Sequence, residues 1–562
     1  MGARRTPMHA GEAVAEALRG EGVETVYSVP GSHIHPIYDG LSRVKSIRLV
    51  TCKQEPNVSL MADAYGRLTG KPGVCIVTAG PGGLNSMAGV AQAYGAASPM
   101  VHIGGAVPLK ADMEAFHGVD DPAAVNKMFK HITKWSVRLE RFEDIPQVMA
   151  RAFHMARSGR PGPVHVELPR LSDYSEYLLQ EKPVMLPAYQ SVPAVAAQPD
   201  PHDVERYAKR LMAATSPVIA AGKGVIRQGA TRGLSELALK LQAPVVFAQD
   251  AIGVIPEQHP FYAGHFSCYR THPLCIGALH RTDLILGVGL RAGAAEMTDL
   301  KACAPGRNLI LIGYDDAADS RYQGADQRVA DPGLFLTALL ERLGGYHRPR
   351  NDALIAQMAE GKAAVRRSLA AQNEPHKNDI PIYPGVLMDA MNAVLDDNAV
   401  VASDVGNCQM WARTFRRIAT PESFMQSGVW NAMSYALPTA MVAKMQFPAR
   451  DVVALAGDGA FLMTLGDLPT AAEYGANVLM IVLNDGAFGQ TFMQQANIYG
   501  HTYGTSFHSP DFSEIASACG AEGIRVTNPE DVEGALRHGL AATKQGPALV
   551  EVMVAVRPYP KT

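Results

Sequence analysis

Short apolar runs alternate with helix-like stretches along nearly the whole chain. The clearest runs are residues 218–221, 284–288, 309–312, 452–455 and 477–483. These runs lack the alternation of apolar and polar residues that marks a strand with one face in water. They are therefore typical of strands buried on both faces, as in parallel sheets covered by helices. The pattern predicts an α/β protein built from open, mainly parallel sheets flanked by helices.

The chain has 562 residues, which is too long for one domain and suggests about three. Residues 187–201 are rich in Ala, Pro and Val with little charge, and this composition is typical of a linker. Residues 352–372 form a charged, Ala-rich amphipathic pattern, which predicts a linker helix. We therefore expect domains at 1–185, 196–345 and 381–562, with a linker helix within 346–380.

One long stretch, residues 72–109, contains no Asp, Glu, Lys or Arg. Gly, Pro, Ser, Asn, Gln and His interrupt it throughout, so it offers no clean run of about 20 apolar residues that could span a membrane. A strand–helix–strand unit buried on both faces explains the composition better. We expect this unit to lie at a subunit interface.

Charge and cysteine content exclude several functional classes. The formal net charge is −3, from 51 basic and 54 acidic residues, and no basic stripe indicates a nucleic-acid partner. The N-terminus lacks the apolar region of a secretion signal. An odd number of cysteines without a Cys-x-x-Cys spacing indicates reduced thiols in a cytoplasmic protein. The seven are Cys52, Cys75, Cys268, Cys275, Cys303, Cys408 and Cys519.

Candidate chemistry follows two successive strands of the last domain. Gly457-Asp458-Gly459 comes after the apolar run 452–455, and Asn484-Asp485 ends the run 477–483. Ligands bind beyond the carboxyl ends of parallel strands, so these side chains are expected to meet there. Carboxylate, amide and backbone oxygens suit a divalent cation on a diphosphate, and glycines allow close approach of the backbone. An ordinary βαβ turn is the alternative reading of this pattern taken alone.

These motifs resemble the diphosphate and magnesium motif of thiamine diphosphate (ThDP) enzymes, and further stretches resemble acetolactate-synthase-like members of that family. The resemblance covers nearly the whole chain. It rests on Cys-Lys-Gln-Glu at 52–55, Ala-Tyr-Gly-Arg at 64–67, Gly-Pro-Gly-Gly-Leu-Asn at 80–85, Ala-Phe-His at 115–117, Asp-Val-Gly-Asn at 404–407 and Asn-Ala-Met at 431–433. It implies ThDP and Mg²⁺ as cofactors. It also implies a homodimer at minimum, commonly a homotetramer, with each cofactor between the first domain of one subunit and the third of another.

The resemblance implies a role for individual residues. Glu55 would be the carboxyl group that hydrogen-bonds the aminopyrimidine ring and promotes formation of the ylid. Met433 would be the apolar wedge that bends the cofactor. Asp458 and Asp485 would bind the metal together with the backbone carbonyl of Ala487, whose side chain cannot ligate. Around the cofactor the resemblance also places Gly31, Pro81, Gly82, Asn85, Gly406, Asn407, Cys408, Asn431, Gly457, Gly459, Ala460, Phe488 and Gly489.

The expected substrate pocket departs from that of acetolactate synthase. Gln490 and Thr491 stand where that enzyme has an apolar pair, and Gln494 stands where it has a Trp. His117 replaces a Gln, and the loop that contains His33 locally resembles benzaldehyde lyase. We expect both histidines to be catalytic and to move protons at the reacting carbon. The remaining expected pocket residues are Ser32, Phe116 and Lys134.

The favoured function is ThDP-dependent chemistry on a 2-keto acid. The ylid attacks the keto acid, carbon dioxide leaves, and the resulting carbanion passes to a carbonyl acceptor. A C–C lyase or decarboxylase of the 2-hydroxyacyl-CoA lyase, oxalyl-CoA decarboxylase or benzaldehyde lyase type is the alternative. A silent ThDP-binding subunit is a third possibility, against which the presence of Glu55 argues. A nicotinamide dehydrogenase ranks last, because no Gly-x-Gly-x-x-Gly follows a first strand.

The central domain leaves its ligand open. Gly222-Lys223-Gly224, Gly289-Leu290-Arg291 and Gly313-Tyr314-Asp315-Asp316 follow apolar runs, where FAD or ADP could bind. Gly264-His265-Phe266-Ser267 does not match the Gly-Met-His-Gly that contacts flavin in acetolactate synthase. The sequence therefore allows a nucleotide in this domain without requiring one.

Overall fold

A computed structural model describes residues 8–108, 115–170, 195–267, 271–291, 300, 308–314 and 325–560. It confirms the expected α/β architecture. Three six-stranded sheets, in which every strand pair is parallel, follow one another along the chain. The first domain boundary, expected near residue 185, lies outside the described residues.

The first domain has the strand order β2-β1-β3-β4-β6-β5. Strands β3, β4 and β6 are buried along their whole length, as the apolar runs predicted. Its strands are β1 (Thr25–Ser28), β2 (Arg48–Thr51), β3 (Gly73–Val77), β4 (Met100–Ala106), β5 (Trp135–Arg138) and β6 (Pro163–Pro169). Its helices are α1 (Ala10–Gly20), α2 (His35–Arg43), α3 (Glu55–Thr69), α4 (Pro81–Ala96), α5 (Ala124–Phe129) and α6 (Ile145–Arg157).

The central domain has the order β12-β11-β10-β7-β8-β9, which is the arrangement of dinucleotide-binding sheets. Its strands are β7 (Pro217–Ala221), β8 (Val245–Ala248), β9 (Tyr262–Phe266), β10 (Leu284–Val288), β11 (Asn308–Gly313) and β12 (Asp326–Val329). Its described helices are α7 (Pro201–Ala213), α8 (Lys223–Arg227), α9 (Thr231–Leu241), α10 (Pro273–Arg281) and α11 (Pro332–Leu343), and the predicted linker helix follows as α12 (Asp352–Asn373).

The third domain repeats the topology of the first, with the order β14-β13-β15-β16-β18-β17. Its strands are β13 (Val400–Ser403), β14 (Phe424–Gln426), β15 (Val452–Gly457), β16 (Leu479–Asn484), β17 (Glu522–Val526) and β18 (Ala548–Met553). Its helices are α13 (Pro384–Val394), α14 (Asn407–Phe415), α15 (Ala436–Gln446), α16 (Asp458–Leu462), α17 (Leu468–Glu473), α18 (Gly489–Tyr499), α19 (Phe512–Ala518) and α20 (Val532–Ala542).

One apolar core joins the first and third domains. Helices α3 and α15 pack against each other, and buried residues of both domains belong to the same cluster. The uncharged stretch 72–109 forms β3, α4 and β4, which confirms the predicted strand–helix–strand unit. Among the described residues, no helix combines the length and apolar character needed to cross a membrane. Cys52, Cys75, Cys408 and Cys519 are free thiols, whereas Cys268 and Cys303 lie outside the described residues.

Candidate functional site

A cavity of about 650 Å³ opens at the carboxyl ends of β15 and β16, where the sequence placed the cofactor. Asp458 begins α16, and Asp485 follows the last residue of β16. The residues that line the cavity, within the part of the chain that the structure describes, all belong to the third domain. They are Pro384, Val405, Gly406, Asn407, Cys408, Met433, Gly457, Asp458, Gly459, Ala460, Leu483, Asp485, Ala487, Phe488, Gly489, Gln490, Thr491 and Val554.

The two predicted metal ligands are held by backbone amides. Asp458 accepts hydrogen bonds from the backbone N–H groups of Gly459 and Gly486, both at 2.7 Å. Asp485 accepts one from the N–H of Ala487 at 3.2 Å. Burial raises the pKa of the Asp458 carboxyl. Burial and the neighbouring Asp458 raise the pKa of Asp485 to about 7. A bound cation would relieve this buried repulsion between carboxyl groups.

The donor set suits a cation that keeps several oxygen ligands from outside the protein. Among the described residues, no group of three or more His, Cys, Asp and Glu side chains could hold a metal. A cation in the cavity would therefore depend on two carboxylates plus backbone oxygen, as predicted with Ala487. Mg²⁺ is commonly bound in this way, through one or two carboxylates and substrate phosphates. Asn484, the first residue of the Asn-Asp pair, instead donates its amide to Glu551 at 2.6 Å.

Glycines keep the cavity open. A Cβ at Gly489 would lie 2.6 Å from Oδ2 of Asp485, and a Cβ at Gly459 would lie 2.7 Å from the ring of Phe488. Across the cavity, Asn407 donates to the carbonyl of Arg557 at 2.9 Å, and its own buried Oδ1 has no hydrogen-bond partner among the described residues. An unsatisfied buried acceptor beside a cavity is the kind of group that a ligand completes.

A second cluster of predicted residues lies in the first domain, around Glu55. This half-buried residue begins α3, and its Oε2 accepts a hydrogen bond from Nδ2 of Asn85 at 3.2 Å. A Cβ at Gly82 would lie 3.6 Å from Oε1 of Glu55. Gly82 and Asn85 lie in the first turn of α4, which follows Gly80 with a φ of +58°. The Gly-Pro-Gly turn is thus folded directly against the predicted catalytic carboxyl group.

His33 and His117 belong to this cluster and stack on each other, with their ring centroids 4.9 Å apart. Burial, followed by the charge of His117, lowers the pKa of His33 to about 4, so His33 is neutral near pH 7. His117 has a φ of +68°, and its buried Nδ1 has no hydrogen-bond partner among the described residues. A Cβ at Gly80 would lie 2.3 Å from the carbonyl oxygen of His117. Phe116, with 66% of its surface exposed, stacks on His117.

Thr78 is a central residue of this cluster that the sequence reading did not identify. Its Oγ1 lies 3.5 Å from Nδ1 of His33. A Cβ at Gly31 would lie 2.4 Å from the Cβ of Thr78. Ser32 contacts the same nitrogen of His33, at 3.3 Å. The available signal was the position of Thr78 at the end of an apolar strand, directly before a glycine turn.

Two predicted pocket residues do not line the third-domain cavity. The ammonium group of Lys134 donates to the carbonyls of Met155 and Ser158, so it caps the end of α6 rather than joining the histidines. Gln494 lies one turn beyond Thr491 in α18 and is exposed, and it does not line the cavity. Gln490 and Thr491 do line it. The ammonium group of Lys134 therefore stabilises a helix end, and its role in the substrate pocket stays a prediction.

The Glu55 cluster and the third-domain cavity share no described residue, yet they are connected. Asp467, a second residue that the sequence reading missed, accepts hydrogen bonds from the backbone N–H of Lys53 at 2.7 Å and from Nδ2 of Asn57 at 2.5 Å. These two residues flank Glu55. Asp467 therefore fixes the Glu55 loop against the third domain of the same chain.

The central domain places its glycines at the switch point of the sheet, between β7 and β10. The N–H of Gly224 donates to the carbonyl of Gly289 at 3.0 Å. The ammonium of Lys223 bonds Asp250 at 2.6 Å and the carbonyl of Gly95 at 2.8 Å. Asp315 and Asp316 lie outside the described residues. FAD or ADP in this domain stays a prediction, and the visible absorption spectrum of the purified protein would report a flavin.

Comparison with known proteins agrees with this arrangement. Three family models match the chain: the thiamine pyrophosphate enzyme N-terminal TPP binding domain at residues 8–125, the central domain at 204–339, and the C-terminal TPP binding domain at 404–552. The chain is 31% identical to a probable acetolactate synthase large subunit of Methanococcus aeolicus, over 95% of this chain and 90% of that protein. It is also 31% identical to the acetolactate synthase isozyme 3 large subunit of Escherichia coli, over 97% and 94%. With an acetolactate synthase of Mycobacterium bovis it shares 32% identity, over 97% and 87%.

Proposed function

Because this chain belongs to the thiamine pyrophosphate enzymes related to acetolactate synthase, we propose that it catalyses acetolactate synthase-like carboligation of 2-keto acids with ThDP and Mg²⁺. The observation that carries the proposal is that one chain contains both parts of the site. Glu55 in the first domain is held by Asn85, and Asp458 and Asp485 lie together in the cavity of the third domain. A proton-transfer group and a metal–diphosphate site are the two requirements of this chemistry. The relatives named above are acetolactate synthases, so the lyase alternatives are not favoured.

The residues divide the work between binding and proton transfer. ThDP supplies the nucleophilic carbon and the electron sink when it is bound. Asp458, Asp485 and the carbonyl of Ala487 would hold Mg²⁺ and thereby the diphosphate. Glu55 would exchange a proton with the aminopyrimidine end. The neutral His33, beside His117, offers one ring N–H donor and one ring lone pair for proton exchange with a bound substrate.

We further propose that each active site is formed by two chains. The described residues that line the cavity with Asp458 all belong to the third domain, and none of them offers an acid for the aminopyrimidine end of the cofactor. Large apolar side chains lie exposed beside both halves of the site: Leu84 and Phe116 next to Glu55, and Phe488 at the cavity. Exposed apolar groups around a functional cleft indicate a surface that a partner covers. Asp467, which connects the two domains within one chain, is the argument for the opposite arrangement.

A complementation experiment separates the two arrangements. Glu55→Gln and Asp458→Ala chains, each inactive alone, are expected to regain activity when they are co-expressed with different tags and purified as a mixed oligomer. If sites form between chains, one site of each heterodimer combines an intact Glu55 with an intact Asp458. Each purified heterodimer then carries one good site of two, so the mixed oligomer should show about half of the wild-type activity. Mixed oligomers with no activity would show that each chain builds its own site.

The polar side of the cavity predicts the choice of acceptor. Gln490 and Thr491 place polar groups where an apolar wall would favour an ethyl group over a methyl group. Burying such a polar group without a hydrogen-bond partner costs about 1–3 kcal/mol. We expect little or no preference for 2-ketobutyrate over pyruvate as acceptor. Competition between both keto acids, with the products separated by mass spectrometry, measures this. A strong preference for 2-ketobutyrate would overturn the pocket assignment and restore a branched-chain biosynthetic role.

The exposed position of Gln494 makes a second variant informative. Gln494→Trp is expected to change the ratio of the two products severalfold while the Kd for ThDP stays near its wild-type value. The indole would extend from α18 over the mouth of the cavity, where an acceptor enters. Gln494→Asn keeps the amide and is the matched control. Equal product ratios in all three proteins would remove Gln494 from the substrate pocket.

A further inference from the structure

A row of buried polar side chains runs beneath the first turn of α4, away from the residues assigned so far. His102 on β4 and His165 on β6 are fully buried, and Glu167 is 2% exposed. Nδ1 of His102 lies 2.8 Å from Nδ1 of His165. Nε2 of His102 lies 2.8 Å from Oγ of Ser86. The registers His102↔His165 and Gly104↔Glu167 place these side chains on one face of the sheet.

The positions of the protons in this row follow from the donors and acceptors. The hydroxyl of Ser86 donates to the carbonyl of Gly83 at 2.7 Å, so its oxygen accepts from Nε2–H of His102. A neutral His102 that donates through Nε2 accepts at Nδ1, and His165 must therefore donate through its own Nδ1. Burial lowers the pKa of both histidines, which keeps each ring neutral with a single proton.

The last member of the row is then determined as well. Nε2 of His165 carries a lone pair, has no hydrogen-bond partner among the described residues, and lies 3.4 Å from Oε1 of Glu167. Two acceptors that face each other repel, whereas a protonated carboxyl group donates. Burial raises the pKa of Glu167 to about 8, so the protonated form prevails near pH 7. Every proton in the row then points from Glu167 towards Gly83.

We propose that Glu167, His165, His102 and Ser86 act as one hydrogen-bond relay that positions the first turn of α4, and with it Asn85, against Glu55. The four are positioning residues, since none of them contacts the reacting groups. Asn85 follows Leu84 and directly precedes Ser86, and its amide is the hydrogen-bond donor to Glu55. The inference rests on the proposed catalytic role of Glu55.

Loss of the Glu167 proton would reverse the relay. A carboxylate at 167 accepts from Nε2 of His165, and each ring then carries its proton on the opposite nitrogen. Nε2 of His102 becomes an acceptor, and the hydroxyl of Ser86 turns to it and leaves the carbonyl of Gly83. One proton leaves to solvent and none is created. The turn that carries Asn85 loses its tie as the pH rises through the pKa of Glu167.

Besides burial, one charged side chain acts on the pKa of Glu167, and it is Arg138. Arg138 on β5 lowers the pKa of Glu167, against the larger effect of burial, and Arg138 in turn faces Asp121. His165 lies on the same strand and His102 on the neighbouring one. Helices α4 and α5 contribute Ser86 and the ring of Phe129, which stacks on His165 at 3.9 Å and carries no charge. Titration in this region is therefore expected to belong to Glu167.

Glu167→Gln tests the relay, because a Gln amide donates to Nε2 of His165 at every pH. In the wild type, kcat for keto acid turnover should fall severalfold between about pH 7 and about pH 9, whereas kcat of Glu167→Gln should stay constant over this range.

Ser86→Ala removes the hydrogen bond to the carbonyl of Gly83, so its kcat should be about tenfold lower at neutral pH. Its KM should be unchanged, and the fall of kcat at alkaline pH should be absent. Glu21→Gln is the matched control, since burial also raises the pKa of Glu21, to about 7, at the far end of α1. Its pH profile should equal that of the wild type.

Infrared difference spectra of wild type minus Glu167→Gln give a readout that needs no turnover. A carboxylic-acid band at neutral pH, replaced by a carboxylate band at alkaline pH, is the expected result. A carboxylate band at neutral pH would overturn the relay, even if the enzyme proves inactive on keto acids. The expected infrared band could occur while wild type and Glu167→Gln have identical pH profiles of kcat. That result would overturn the coupling of Glu167 to α4. An enzyme without keto acid turnover contradicts the proposed function, and the infrared result then decides the relay alone.

Discussion

Replacing Glu55 with Gln is expected to leave ThDP bound while kcat falls by about 10³-fold, the range usual for loss of an essential proton-transfer group. The amide oxygen can still accept the hydrogen bond of Asn85, which Glu55 receives at 3.2 Å, so the turn of α4 keeps its place. What disappears is the ability to hold and release a proton. The substitution therefore isolates chemistry from geometry.

Steady-state kinetics and calorimetric titration with ThDP measure these two properties separately. Glu24→Gln is the matched control in the same domain, because the carboxylate of Glu24 is exposed. Among the described residues, its ion-pair partner is Lys71, at 3.5 Å. It should have wild-type kcat. Near wild-type turnover in Glu55→Gln would remove Glu55 from the mechanism, and loss of ThDP binding would assign it a binding role instead.

Asp458→Ala is expected to abolish Mg²⁺ and ThDP binding together, with a Kd for ThDP raised by about 100-fold or more. In the proposed function Mg²⁺ would link the protein to the diphosphate, so removing its ligand would weaken the attachment of both. The substitution also leaves the N–H groups of Gly459 and Gly486 without their acceptor. Asp458→Asn keeps one side-chain oxygen for these amides and separates loop disorder from loss of the metal ligand.

Calorimetry with and without excess EDTA tests this assignment. Wild-type protein should lose ThDP affinity when EDTA removes the metal, and the two Asp458 variants should bind weakly in either condition. Thermal melting of the ligand-free proteins checks that Asp458→Asn remains folded. Wild-type affinity for ThDP that is unchanged in excess EDTA would show that the cavity holds the diphosphate without a metal.

The architecture, and the ends of the strands that carry the third-domain site, could be predicted from the order of residues alone. Runs of Val, Ile, Leu and Ala without polar interruption belong to strands buried on both faces, and β15 and β16 appear where 452–455 and 477–483 predicted them. Asp458 and Asp485 could be assigned because parallel strands end at one edge and the polar residues follow directly in sequence. Glu55 was predicted differently, from the family resemblance of residues 52–55 and 64–67, and its catalytic role stays a prediction.

Contacts between residues far apart in the chain became known from the folded arrangement. Asp467 contacts Lys53 across 414 residues, and His102 pairs with His165 across 63. No local pattern encodes such a pair, since it depends on strand order and on which face a side chain takes. Lys134 shows the converse: its sequence context indicated the pocket, yet the carbonyls at the end of α6 are nearer partners for its charge. Packing selects partners by distance in space, and sequence motifs report only distance along the chain.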